Sequence, residues 1–166
     1  MDIIVRPPDI FYWQNETYQC ALGRGGSISE KSEGDGGTPI GRFPLRQVYF
    51  RPDRLAPPKT SLPIRALDHH DGWCDDPNSV AYNSLVKLPF SHRCEVLWRD
   101  DSIYDVIVVL GYNDNPVIPG KGSAIFLHIA KPSYSPTEGC VALSLEDLLY
   151  VLKTTTSETQ LVVSPV

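Results

Sequence analysis

The chain has 166 residues, enough for one domain with its own core, and its hydrophobic fraction of 42% and charged fraction of 21% are ordinary for a globular protein. A net charge of −5 and the lack of any Lys/Arg cluster argue against nucleic acid and anionic membrane surfaces as partners. No segment approaches the roughly 20 apolar residues of a membrane span, and the 15 prolines and 12 glycines spread along the chain favour short strands and many turns.

Strands make up most of the predicted elements. They are expected at residues 43–50, 94–98, 104–112, 124–128 and 160–166, with a proline-rich loop at 51–63. The core of segment 104–112, YDVIVVLGY, is continuously apolar, which is typical of a strand covered on both faces. Residues 113–123 contain Asn, Asp, Pro or Gly at almost every step and predict a loop. Long loops beside strand ends often carry function.

One helix is predicted near the C-terminus. Leucines recur at helical spacing between positions 145 and 152, and Ser144 precedes them as a favourable N-cap with an acidic residue three positions on. The helix should end near Lys153. Because the sequence contains no repeat, low-complexity tract or linker, residues 1–166 are expected to form a single, mainly β domain.

Cysteines and histidines outside the best motif give weaker signals. The four cysteines, Cys20, Cys74, Cys94 and Cys140, could form two disulfides in three connectivities or remain free thiols, and both readings stay open. The histidine pair in segment 68–78, DHHDGWCDDPN, is expected in a solvent-exposed loop rather than in a metal site. The N-terminus carries no export signal, so a cytoplasmic chain and a chain whose signal has been removed are both open.

A histidine and a cysteine stand out in segment 126–149, FLHIAKPSYSPTEGCVALSLEDLL. His128 ends a predicted strand, a short Pro/Ser loop follows, and Gly139-Cys140 precedes the predicted helix. A thiol is mostly protonated at neutral pH, and a neighbouring imidazole can take its proton, so His128 is predicted to activate Cys140. The amides of Gly139 and Cys140 are candidate oxyanion donors, because a glycine permits the tight turn this requires. Spacing alone also allows a core histidine and a buried, inert thiol.

These residues resemble the catalytic motif of the L,D-transpeptidase (YkuD-type) family, a histidine followed after a loop by [S/T]-x-G-C-[I/V]. The motif is matched by His128 and by residues 137–141, TEGCV, and an upstream T-P-x-G-x-F segment is matched by residues 38–43, TPIGRF. The order of elements agrees over about residues 22–163. Three positions differ from the commonest members and indicate a divergent branch: Ile129, Glu138 and Ala142, the last standing where an arginine is usual.

The resemblance implies an L,D-transpeptidase-like mixed β-sandwich with one or two short helices. It implies that Cys140 attacks the L-centred carbonyl of the third residue of a peptidoglycan stem peptide, releasing the terminal D-amino acid and leaving a thioester. An amine of a second stem then resolves the thioester. His128 would serve as base and then as acid, with its ring oriented by the carbonyl of Ile129. Carbapenems are expected inhibitors, no metal or organic cofactor is implied, and the expected location is the periplasm or cell envelope.

Five residues are candidates for holding the substrate: Arg24, Trp73, Tyr112, Tyr134 and Glu138. Glu138 could recognise the cationic end of a diaminopimelate, although an acid beside the nucleophile would raise the cysteine pKa by like-charge repulsion.

Two other functions stay open at this level. Water in place of the amine would make the protein an L,D-carboxypeptidase or amidase, and a catalytically inactive domain would only bind cell-wall peptide. The position of the acceptor amine, which decides between 3-3 and 1-3 cross-links, is also left open.

Overall fold

The computed structural model describes residues 1–165, which form strands and one helix. The strands are β1 (Ile3–Arg6), β2 (Ile10–Trp13), β3 (Glu16–Gln19), β4 (Ser27–Ile28), β5 (Thr38–Pro39), β6 (Gly41–Phe50), β7 (Ile64–Ala66), β8 (Asp71–Cys74), β9 (Leu85–Lys87), β10 (Cys94–Val96), β11 (Val106–Leu110), β12 (Phe126–Ile129), β13 (Val141–Leu143) and β14 (Gln160–Val163). The helix is α1 (Leu145–Thr154). The predicted mainly β fold is therefore confirmed.

A nine-stranded sheet forms the main body of the fold. Its strands lie in the order β13-β12-β11-β6-β14-β1-β2-β3, and β7 pairs with β6. The sheet is mixed, because β1 with β14, β12 with β13, and β6 with β7 pair in parallel while the other neighbours are antiparallel. The parallel pairing of β12 with β13 brings the two halves of the predicted catalytic motif side by side.

The central strand β11 is buried on both faces, as its continuous apolar sequence predicts. Val106, Val108 and Leu110 point into one hydrophobic cluster, whereas Ile107 and Val109 point into a second cluster on the opposite face. Because successive side chains of a strand alternate between faces, a strand with two covered faces has no polar positions. The second of these faces carries the candidate site.

A three-stranded sheet, in the order β10-β8-β9, covers the second face. The indole of Trp73 in β8 packs edge-on against Phe126 in β12, with ring centroids 5.1 Å apart. His69 and His70 are exposed in a turn, as expected, but the next four residues form the buried strand β8 rather than a continuation of an exposed loop. The reason is pairing: β9 and β10 bond to its backbone, and the carboxylate of Asp71 is neutralised by Arg65 and Lys87.

The C-terminal elements follow their sequence signals. The hydroxyl of Ser144 accepts a hydrogen bond from the Asp147 amide and caps α1, which buries Leu148, Val151 and Leu152. The last predicted strand is confirmed as β14, Gln160–Val163, and the end of the predicted segment, Val166, lies outside the described residues. The N-terminal strands β1 to β3 were not predicted. Within residues 1–165 we find no helix with the length and apolarity that crossing a membrane requires.

Candidate active site

A cleft of about 480 Å³ opens beside the second face of the main sheet, and both His128 and Cys140 line it. His128 lies in β12, two residues after Phe126, so the two side chains point to the same face of the sheet. Cys140 immediately precedes β13, the parallel neighbour of β12. The predicted pair is thus brought to one cleft, because the chain crosses from one strand to the next within a short loop.

His128 is held in one tautomer by its backbone neighbour. Nδ1 lies 2.9 Å from the carbonyl oxygen of Ile129, the contact that the family resemblance implies. A carbonyl only accepts hydrogen bonds, so Nδ1 carries the proton and Nε2 keeps its lone pair. Burial lowers the pKa of His128 to about 4, an effect that the Ile129 hydrogen bond opposes only in part. The resting imidazole is therefore neutral and able to accept a proton.

The thiol of Cys140 lies at the cleft floor, with only 6% of the residue exposed. Its sulfur accepts from the Phe126 amide at 3.4 Å and donates to the carbonyl oxygen of Ala124 at 3.2 Å. Within residues 1–165, no hydrogen bond joins this sulfur to His128. Burial raises the pKa of Cys140 to about 12, and the charge of Glu95 adds to the increase. The resting pair is thus thiol and neutral imidazole, and proton transfer requires the thiol to turn from Ala124 toward His128.

The loop before Cys140 depends on Gly139 and Thr137. Gly139 has φ +134°, and a Cβ there would lie 2.8 Å from the carbonyl oxygen of Gly37. The Thr137 hydroxyl accepts from the Gly139 amide at 3.1 Å and donates to the Cys140 carbonyl at 2.7 Å. Of the two predicted oxyanion donors, the Gly139 amide is therefore already engaged. The Cys140 amide donates to no acceptor in the described part of the chain.

Glu138 lines the cleft, and its carboxylate forms an ion pair with Arg24 at 2.9 Å. The two side chains are 80% and 54% exposed, so this pair lies at the solvent-facing rim. Arg24 itself borders a separate depression, together with Tyr134. Of the five residues expected to hold substrate, Glu138 alone lines this cleft among the described residues. Arg24 is connected to the cleft only through its ion pair with Glu138.

Trp73 and Tyr112 lie in the structure away from the cleft. The Trp73 indole is buried and donates to Asn83 at 3.0 Å. The Tyr112 hydroxyl donates to the carbonyl of Lys121, and its ring packs edge-on against Phe43. Both residues serve the packing between sheets and loops at these positions.

Charged and aromatic residues that the sequence reasoning missed line the same cleft. They are Lys31, Glu33, Asp75, Arg93, Glu95, Arg99, Tyr104 and Lys131. The ring of Tyr104 lies edge-on to the His128 imidazole, with centroids 5.3 Å apart, and its hydroxyl donates to Glu95. One signal could have revealed Glu95: it is the one acidic residue in the predicted strand 94–98, CEVLW.

The remaining cysteines and potential metal ligands lie apart from one another or unbonded in the described residues. All four cysteines are free thiols, although Cys74 and Cys94 are direct partners across β8 and β10. No cluster of potential metal ligands occurs among residues 1–165.

Comparison with known proteins gives one match. The family model described as L,D-transpeptidase catalytic domain matches residues 2–163. It therefore includes the N-terminal strands, which the sequence resemblance had left out. Comparisons with curated proteins and with solved structures found no match. The match covers nearly the whole chain, and the His128 and Cys140 side chains line one cleft. The protein therefore belongs to the L,D-transpeptidase catalytic domain (YkuD) family.

Proposed function

We propose that the protein is a cysteine-dependent L,D-transpeptidase that cross-links peptidoglycan stem peptides through a thioester on Cys140. The observation that carries the proposal is the shared cleft of Cys140 and His128, with Nδ1 of His128 bound to the Ile129 carbonyl at 2.9 Å. That bond leaves Nε2 as the one ring atom able to take a proton. The substrate is a component of the cell envelope, where the enzyme is proposed to act.

The first half of the reaction forms the acyl-enzyme. A stem peptide enters the cleft, the thiol turns toward His128, and Nε2 accepts its proton. The thiolate attacks the L-centred carbonyl of the third stem residue. The backbone amide of Cys140 donates to the oxyanion that forms. This role is supported by the lack of any acceptor for that amide among the described residues. His128 then gives its proton to the departing amine, and the terminal D-amino acid leaves.

Burial keeps the resting thiol protonated and opposes formation of the thiolate in the empty cleft. The pKa of Cys140 is raised to about 12 and that of His128 lowered to about 4, so the two do not form an ion pair in the empty cleft. We expect activation to accompany substrate binding, when the thiol loses its bond to Ala124. General-base catalysis of this kind contributes about 10²–10⁴-fold to a rate.

The test is an incubation with a purified tetrapeptide muropeptide, followed by mass spectrometry. Cross-linked dimers are the expected product, and the Cys140→Ala variant should form none. Shortened monomers alone would instead indicate a hydrolase. A protein that binds the muropeptide but forms neither product, and that gives no carbapenem adduct on Cys140, would be a binding domain, and the proposal would be wrong.

A further inference from the structure

Glu95 is a carboxylate in the cleft that takes no part in the proposed acylation of Cys140. It lies in β10, opposite Trp73 of β8, and lines the same cleft as Cys140 and His128. Burial raises the pKa of Cys140, and the charge of Glu95 adds to this increase. A negative charge beside a nucleophile that must become an anion opposes the first half of the reaction, so its presence requires another explanation.

The partners of the cleft carboxylates set Glu95 apart. Three of the four are engaged by cations or by two hydroxyls: Asp75 by Arg93 at 3.1 Å, Glu138 by Arg24 at 2.9 Å, and Glu33 by Tyr82 at 2.8 Å and Ser123 at 2.5 Å. Glu95 accepts one hydrogen bond in the described residues, from the hydroxyl of Tyr104. The nearby Arg99 is bound to Asp101 by two hydrogen bonds, at 2.8 and 2.6 Å. Glu95 therefore has no cation of its own and keeps free acceptor positions.

The surroundings of Glu95 favour the arrival of a cation. Burial raises the pKa of Glu95, and the negative charges of Asp75 and Glu33 raise it further. The hydrogen bond from Tyr104 and the charge of Arg99 act in the opposite direction. Cys140 and His128 also face the cleft, but both are neutral at rest. A partly buried carboxylate without a counter-charge is unfavourable, and a bound cation removes that penalty.

The second half of the proposed reaction brings such a cation. An acceptor amine on a stem peptide arrives as an ammonium at neutral pH, since alkyl amines have a pKa of about 10. It must lose a proton before it can attack the thioester. Resting on the proposed function, we propose that Glu95 is the catalytic residue that receives the acceptor ammonium and takes its first proton.

The protons balance through two residues. The ammonium gives one proton to Glu95, and the neutral amine attacks the thioester carbonyl. The carbon–sulfur bond breaks, an amide forms, and the sulfur leaves as a thiolate. The second proton of the amine passes through His128 to that thiolate and restores the thiol. Glu95 releases its proton to solvent, so the net products are the cross-linked amide, the free enzyme and one proton.

Separate measurement of the two half-reactions tests this role. Cys140 is first acylated with a tetrapeptide donor, and the adduct is followed by mass spectrometry before and after addition of an acceptor stem. In Glu95→Gln, decay of the adduct by the acceptor should be about 10²-fold slower. Acylation should be unchanged or faster, because the charge that raises the pKa of Cys140 has been removed. A merely structural role would slow both steps.

Two controls sharpen the result. Hydroxylamine is an uncharged nucleophile at neutral pH, so it should cleave the adducts of the wild type and of Glu95→Gln at equal rates. Glu158→Gln removes an exposed carboxylate that does not line the cleft and should leave both steps within about twofold of wild type. If Glu95→Gln does not fold, Glu95→Asp, which keeps the charge but withdraws it by one methylene, should show the same split in weaker form.

The outcomes are distinct. Absence of any adduct on wild-type Cys140 would overturn the proposed function. Normal acylation with an acceptor step that is equally fast in Glu95→Gln and wild type would overturn the role of Glu95 alone. Equal slowing of both steps, or slower cleavage by hydroxylamine, would also overturn it.

Discussion

Acidification should destabilise the folded protein through His128. The pKa of this buried histidine is lowered from 6.5 to about 4, because burial disfavours the imidazolium. The unfolded chain binds a proton at the ordinary pKa, whereas the folded chain does not until the pH falls much further. The unfolded state therefore binds more protons between pH 6.5 and about 4, and the stability that is present above pH 6.5 is lost across this window.

The size of the effect follows from the two pKa values. Each unit of difference corresponds to about 1.4 kcal/mol, so the full shift is equivalent to roughly 3 kcal/mol. Between pH 7.5 and 4.5, His128 should account for a loss of about 2.5 kcal/mol in the free energy of unfolding. Arg99 and Lys131 contribute to the lowered pKa, and Asp101 opposes them, so the value applies at low salt.

The assay is urea unfolding at both pH values for the wild type and for His128→Gln. The variant is expected to be less stable at both pH values, but it should lose about 2.5 kcal/mol less than the wild type on acidification. His92→Gln removes an exposed histidine and serves as the matched control, which should keep the wild-type difference. If His128→Gln and wild type lose the same stability between the two pH values, the imidazole is not held neutral by burial and the reasoning is refuted.

Three substitutions between residues 137 and 144 test the architecture of the chain around Cys140. Gly139→Ala should destabilise the folded protein by about 1–3 kcal/mol and slow carbapenem acylation of Cys140, because the backbone at φ +134° and the Gly37 carbonyl leave no room for a Cβ. An unchanged Tm would contradict this expectation. Thr137→Val removes the hydroxyl that bonds to Gly139 and Cys140 and should lower the free energy of unfolding in urea by about 1–3 kcal/mol, whereas Thr137→Ser should keep most of the wild-type stability. Equal losses in the two variants would exclude the hydroxyl as the cause. Ser144→Ala removes the N-cap of α1 and should lower the stability measured by thermal unfolding by about 1 kcal/mol, with acylation of Cys140 unchanged. A slower acylation would show that α1 controls the site.

Elements with a strong local signal were predictable. The helix after Cys140 has a capping residue and leucines at helical spacing, and it appears as α1, Leu145–Thr154. The apolar run of β11 predicted a strand covered on both faces, and both faces are covered. In each case the side chains that define the element are also the ones that bury it, so periodicity and burial agree.

The three-stranded sheet was missed because its stability depends on distant partners. The sequence around β8 contains adjacent histidines and several aspartates, which is typical of an exposed loop. It forms a buried strand because β9 and β10 supply backbone hydrogen bonds and Lys87 neutralises Asp71 at 2.7 Å. No short window of sequence contains all of these groups.

The sequence by itself determined the family motif, because the chemistry of a thiol, an imidazole and a glycine before the thiol lies within a short stretch of chain. It also predicted a strand at residues 124–128 that ends on His128, and the structure has this strand as Phe126–Ile129. Only the tertiary structure decided what surrounds the pair. Glu95, Tyr104 and the carbonyl of Gly37 come from segments far apart in sequence, and long-range pairing of strands brings them to the cleft. The charge, burial and protonation of a site depend on such neighbours, and they are therefore properties of the fold rather than of the motif.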